Sequence, residues 1–164
     1  MGKELEKKFV WIGVLLFVLG GAWFLFRPYS NVPESGLETL VSVSVGENVF
    51  EAEVADSIEE RSRGLSGREG LEDGRGMLFL FEYPAVQGFW MKDMKFPIDI
   101  IWVLDGEVIG FEENVPMPLF DISESELPVY FSPEEVDMVL EIGAHEVERL
   151  GIEVGDLVDI KDPS

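Results

Sequence analysis

Ile98–Leu104 reads IDIIWVL, Asp105-Gly106 follows, and Glu107–Phe111 reads EVIGF. The apolar run is strand-like, and Asp-Gly is a type I′ turn signal, so the chain is expected to double back as a β-hairpin. Within the first strand, alternation places Asp99 on one face with Ile101 and Val103, and Ile98, Ile100 and Trp102 on the other. Upstream, Thr39–Val45 (TLVSVSV) and Asn48–Val54 (NVFEAEV) alternate about Gly46-Glu47, as a hairpin with one wet face would. Met77–Phe81, Val86–Met91, Val136–Ile142 and Leu157–Ile160 supply further strand candidates.

Helical signals are few. Asp56, with Glu59 three residues on, predicts a helix start that Gly64 would end. Ser132-Pro133-Glu134-Glu135 predicts a one-turn helix entry, and Ala144–Leu150 a short helix closed by Gly151. Glu112 to Pro128, with three prolines, reads as an irregular connection. Short strands with brief helices argue one mainly β domain, a sandwich or a half-open barrel. No strand–long helix–strand unit is present, so the sheet is expected to be mostly antiparallel.

The N-terminus has a different character. Phe9 to Phe26 (FVWIGVLLFVLGGAWFLF) carries no charged side chain, with Trp11 and Trp23 near its ends. As a helix it would span roughly 27 Å, the thickness of a bilayer core. Lys3, Lys7 and Lys8 precede it and only Arg27 follows closely, which predicts a cytoplasmic N-terminus and an external C-terminal domain. Gly20-Gly21-Ala22 followed by Trp23 and Phe24 is a poor cleavage site, so an uncleaved signal anchor is favoured over a cleaved signal peptide. The expected organisation is a cytoplasmic segment over 1–8, an anchor over 9–26, a linker over 27–37 and a β domain over 38–164. The expected location is the cell membrane, single-pass, with residues 9–26 as the membrane contact.

Composition narrows the chemistry. The 164 residues carry 12 Lys+Arg and 33 Asp+Glu, for a net charge of -21. Such a surface repels a polyanion, so no nucleic-acid partner is expected. There is no cysteine, which excludes disulfides, thiolate metal sites and cysteine nucleophiles. The single histidine, His145, has Arg149 where a His-Glu-x-x-His helix needs its second imidazole, and no Gly-x-Ser-x-Gly elbow exists. His145 therefore reads as a solvent-exposed helical residue. The five glycines of Gly64–Gly76 match neither phosphate-cradle pattern. No metal and no cofactor are expected.

Bases are scarce, and so are informative. Six of the eight beyond residue 27 fall between positions 61 and 95, namely Arg61, Arg63, Arg68, Arg75, Lys92 and Lys95. Phe79, Phe81, Phe89 and Trp90 are interleaved with them. One reading is a cationic, aromatic-lined pocket for a small anionic or sugar-like ligand. The other is that the bases neutralise nearby acids and brace a loop. Asp99, if buried, needs a cationic or amide partner, and an ion pair with a nearby Arg or Lys is the expectation.

These residues together resemble a known family. Arg61-Ser62-Arg63-Gly64-Leu65, Arg68, Leu71, Gly76-Met77-Leu78-Phe79, Phe89-Trp90-Met91-Lys92 and Pro97-Ile98-Asp99-Ile100-Ile101 occur in order, followed by Val139-Leu140-Glu141-Ile142, Gly151-Ile152 and Gly155-Asp156. The series is similar to the DUF192 (UPF0127) family of small bacterial and archaeal proteins, often exported or membrane-tethered, over roughly residues 38 to 161. The resemblance implies a compact β fold of sandwich or half-open barrel type and no established reaction. Ser66, Asp93-Met94 and His145 depart from the family's usual Met, Asn-Thr and Gly.

The functional expectation is a non-enzymatic ligand-binding or interaction module outside the cytoplasm, with Arg61, Arg68, Trp90, Lys92 and Asp99 around its pocket. The alternatives are an envelope enzyme using Asp99 or Glu141 as acid/base on glycans, and a structural partner of another membrane protein.

Overall fold

The computed structural model describes residues 40–119 and 123–161. The anchor and linker expected over residues 9–37 lie outside them; among the described residues no helix is long and apolar enough to cross a membrane. Within the compact unit Glu38–Ser164 the described residues form nine strands. In chain order they are β1 (Leu40–Val45), β2 (Asn48–Ala55), β3 (Arg75–Ala85), β4 (Gly88–Trp90), β5 (Ile98–Leu104), β6 (Glu107–Val115), β7 (Val129–Phe131), β8 (Val136–Gly143) and β9 (Val158–Lys161). Helix α1 (Ile58–Arg63) follows β2, a single 3-10 turn (Glu124–Glu126) precedes β7, and α2 (Glu146–Leu150) follows β8.

Seven strands form one sheet in the order β6-β5-β8-β3-β2-β1-β9, while β4 and β7 form a separate ribbon. The hairpin expected at Asp105-Gly106 is present: Leu104 pairs with Glu107 across Asp105 (φ 51°) and Gly106 (φ 76°), the two positive angles a type I′ turn requires. The two sheet edges then approach each other. Val108 donates to the Asp156 carbonyl at 2.9 Å, Val158 to that of Gly106 at 2.8 Å, and Glu107 bridges Leu157. Of the two architectures expected, the curled half-barrel is therefore the one adopted.

One core fills the curl. Val43, Val45, Phe50, Leu78, Ile101, Val103, Val108, Leu140 and Ile142 are buried together with Val147 of α2. These side chains come from strands at both ends of the sheet order, because the sheet turns that face inward. The opposite face carries a second core, including Met77, Phe79, Ile98, Ile100, Trp102 and Val139. It is roofed by Leu65 from the loop after α1 and by Met91 and Met94 from the segment before β5. β5 is thus buried on both sides, which explains why it reads as an almost unbroken apolar run.

The sheet is mostly antiparallel, as expected, and its one parallel pair among the described residues is β2 with β3. Its crossover, residues 56–74, needs only the six-residue α1 and an irregular loop to cover the face, so no long helix announces it. Two expectations need correction. The N-cap of α1 is Ser57 rather than Asp56: Glu60 donates its N–H to Ser57 Oγ at 3.2 Å, and the Glu60 carboxylate accepts from Ser57 N at 3.1 Å. Ser132-Pro133-Glu134-Glu135 does not enter a helix. The Ser132 hydroxyl donates to the Glu134 carbonyl at 2.6 Å and accepts from Gln87 N at 3.0 Å, which fixes a turn between β7 and β8.

Candidate functional site

Sheet register sorts the candidate residues before any side-chain contact is considered. Glu53, Met77, Glu141, Ile100 and Glu112 are successive partners across β2, β3, β8, β5 and β6, so they form one row on the roofed face. Asp99 pairs with Ile142 and projects to the other side, into the curl. The five residues expected around one pocket are therefore divided. Arg61, Arg68, Trp90 and Lys92 belong to segments on the roofed side, and Asp99 does not join them.

Asp99 is fully buried, and its partners are backbone amides rather than the Arg or Lys expected. Its Oδ1 accepts from Asn114 N at 2.7 Å and His145 N at 3.1 Å, and its Oδ2 from Val147 N at 2.9 Å. An ion pair is absent because three N–H groups already satisfy the carboxylate, two of them at the start of α2. His145, the N-cap of α2, has φ 67° and supplies no cap bond of its own; Asp99 caps the helix from a neighbouring strand. The left-handed backbone at His145 accounts for the family's usual Gly there. The histidine is exposed, as expected, but at the helix entrance rather than on its side.

Five of the six clustered bases are engaged within the fold, and the sixth, Arg63, is exposed at the end of α1. Arg61 Nη1 donates to the Leu80 carbonyl at 2.9 Å and also to that of Asp56, and its guanidinium lies 5.3 Å from the centre of the Phe81 ring. Arg68 makes a two-pronged pair with Glu53. Arg75 reaches Glu51 at 3.1 Å, Lys95 pairs with Glu69, and Lys92 reaches Glu124 at 2.7 Å. The Glu124 hydrogen bond holds the Lys92 ammonium above its ordinary range. The bases thus brace the roof: Arg61 ties α1 to β3, and Arg68 ties the loop after α1 to β2. Two of the family departures serve the same stitching. Ser66 Oγ donates to the Lys92 carbonyl at 2.7 Å, and Met94 is buried in the second core. Arg68→Ala, which leaves a half-buried Glu53 without its fork partner, is expected to cost about 1–3 kcal/mol in urea unfolding.

Glu141 stands apart. It is 5% exposed, and among the described residues no hydrogen-bond or ion-pair partner reaches its carboxyl group. Met77 and Ile100 flank it on the adjacent strands, and burial pushes its pKa up to about 8. It can therefore hold a proton at neutral pH. Close strand approach beside it requires Gly76, where a Cβ would lie 2.9 Å from the Glu141 carbonyl oxygen.

The remaining feature is the β4–β7 ribbon, whose β7 strand was not legible in the sequence. Gly88, Phe89 and Trp90 pair with Phe131, Tyr130 and Val129. Phe89 and Tyr130 pack inward, Phe89 lying edge-on to both Phe79 (4.9 Å) and Trp102 (5.6 Å). The other face shows Trp90, Val129 and Phe131 at 43%, 45% and 61% exposure. Gly88 makes room for that face, since a Cβ there would meet the Phe131 ring at 2.9 Å.

Comparisons with known proteins agree on kinship. Residues 41–160 match the model of DUF192, described as "Uncharacterized ACR, COG1430". A crystal structure of a protein of unknown function from Novosphingobium aromaticivorans DSM 12444 is 34% identical with a TM-score of 0.68, covering 77% of this chain and 89% of that one. A proposed transcription regulator from Sinorhizobium meliloti 1021 is 28% identical with a TM-score of 0.67, covering 75% and 95% respectively. No curated protein matches.

Proposed function

This chain belongs to the DUF192 family, and we propose that it is a non-enzymatic interaction module held at the outer face of the cell membrane by residues 9–26. The observation that carries the reading is the exposed apolar face of the β4–β7 ribbon. Trp90 and Phe131 are large side chains left in water although their strand neighbours Phe89 and Tyr130 reach the core. Such a face supports contact with a partner. The bases offer less to a small anion than their clustering promised, because carboxylates and carbonyls of the fold already engage Arg61, Arg68 and Lys92. A nucleic-acid role is disfavoured by the charge of -21.

The full chain, expressed with a C-terminal tag, is expected to stay in the membrane fraction through carbonate extraction. In spheroplasts the tag is expected to be cleaved by external protease. Recovery in the soluble fraction, or protection of the tag, overturns the anchored orientation.

An enzyme reading keeps one supporting observation, the raised pKa of Glu141 on the roofed face. Asp99 does not share in it, since its oxygens are committed to amides inside the curl. Turnover of an envelope glycan that Glu141→Gln abolishes would favour this reading over the binding module.

A further inference from the structure

We infer that the occupant of the exposed ribbon face is a basic protein segment carrying apolar anchors, an assignment that rests on the interaction-module reading above. The ribbon is an apolar strip between acidic ends. Trp90, Val129 and Phe131 form the strip, with Val129 and Phe131 two residues apart on β7 and so about 7 Å apart along the strand. Beyond Trp90 lie the exposed Asp93 and, before β7, Glu124 and Glu126. Beyond Phe131, after Ser132 and Pro133, come the exposed Glu134 and Glu135.

Among the described residues the cation against the strip is Lys92, whose ammonium sits 5.5 Å from the centre of the Trp90 ring and is bound by Glu124. That end is thereby neutral or negative, and the other end is negative. A strip of this kind desolvates two apolar side chains while its ends attract flanking Lys or Arg. An anionic lipid surface or an acidic protein would instead meet like charge at both ends. The complementary ligand has two apolar residues at i and i+2, bracketed by basic ones.

The test uses the full chain in lipid nanodiscs and a labelled heptapeptide, Lys-Lys-Leu-Thr-Leu-Lys-Lys, followed by fluorescence anisotropy. Two control peptides replace both Leu by Ser, or all Lys by Glu. The basic, anchored peptide is expected to bind, with affinity falling at least tenfold for the Ser control, and further for the Glu control. Phe131→Ser, Val129→Ser and the charge reversal Glu134→Lys/Glu135→Lys are each expected to weaken binding by at least tenfold. All three replace exposed side chains, so their melting curves should match the parent.

If the two Lys peptides bind equally and the ribbon variants change nothing, the acidic surface is merely condensing polycations and the proposal fails, together with the ribbon as a recognition surface. If the Glu peptide binds best and the ribbon variants abolish it, the ribbon stands as an interaction surface but the basic partner is wrong. A part of the brominated-lipid quenching that Trp90→Phe removes, over the constant share of Trp11 and Trp23 in the anchor, without peptide binding, would make the membrane surface the occupant and likewise overturn the proposal.

Discussion

Glu141→Leu is expected to make the protein more stable at pH 8 and to remove much of its pH dependence. The folded-state pKa of Glu141 is raised to about 8 by burial, against 4.5 for a free glutamate. Between those values the folded protein retains a proton that the unfolded chain releases. Stability therefore falls as pH rises through this window, by up to about 1.4 kcal/mol per unit, and levels off above it. The full span is on the order of 5 kcal/mol, an upper bound because a folded protein can relax around a charge. Parent and variant should melt within a few degrees of each other at pH 4. At pH 8 the variant should lead by roughly 10 °C or more. Acid also relieves the repulsion of a chain with 33 acids, but it does so in both proteins, so their difference isolates Glu141. Glu141→Gln should flatten the same profile with less gain, since its amide has no partner either. Parallel pH curves for parent and Leu variant would refute the raised pKa.

The opposite outcome is expected at Asp99. Asp99→Ala deprives the amides of Asn114, His145 and Val147 of their acceptor, the Val147 bond being the fully buried one. A loss of about 3–5 kcal/mol should follow, a fall of roughly 10–20 °C in Tm. Asp99→Asn separates the contributions of the two oxygens. Its single carbonyl can keep Asn114 and His145, but its NH2 then faces the Val147 N–H, donor against donor, at the first turn of α2. About half the loss is expected, with hydrogen exchange accelerated mainly at Val147 and in α2. An Ala variant as stable as the parent would show that the amides find other acceptors.

Asp99 also marks how far sequence reasoning reaches. Alternation along IDIIWVL assigned its side chain to the face of Ile101 and Val103, and the structure agrees. Its partners were not legible, because they come from residues 114, 145 and 147, brought to β5 by the sheet order β6-β5-β8. An Arg or Lys is the usual answer to a buried carboxylate, but a bulged strand end and a helix start were nearer. The bases show the same limit. Their clustering between 61 and 95 is plain in the sequence, whereas nothing there selects Glu53 for Arg68 or Glu124 for Lys92 among so many acids. β7 escaped notice because three residues leave no measurable period, and its partner β4 lies about forty residues earlier.

Sequence alone determined the mainly β class, the hairpins at Gly46-Glu47 and Asp105-Gly106, the ends of both helices at Gly64 and Gly151, and membership in an uncharacterised family. Those properties depend on local patterns: alternation, turn residues and caps act over a few positions and leave their mark there. The tertiary structure decided that the sheet curls into a half-barrel with a parallel pair at its centre. It decided that Asp99 and Glu141, both buried carboxylates on neighbouring strands, face opposite ways. One was thereby given three amides and the other none. That distinction depends on which distant segments the packed sheet brings alongside each carboxyl group, a matter of long-range register that no local pattern encodes.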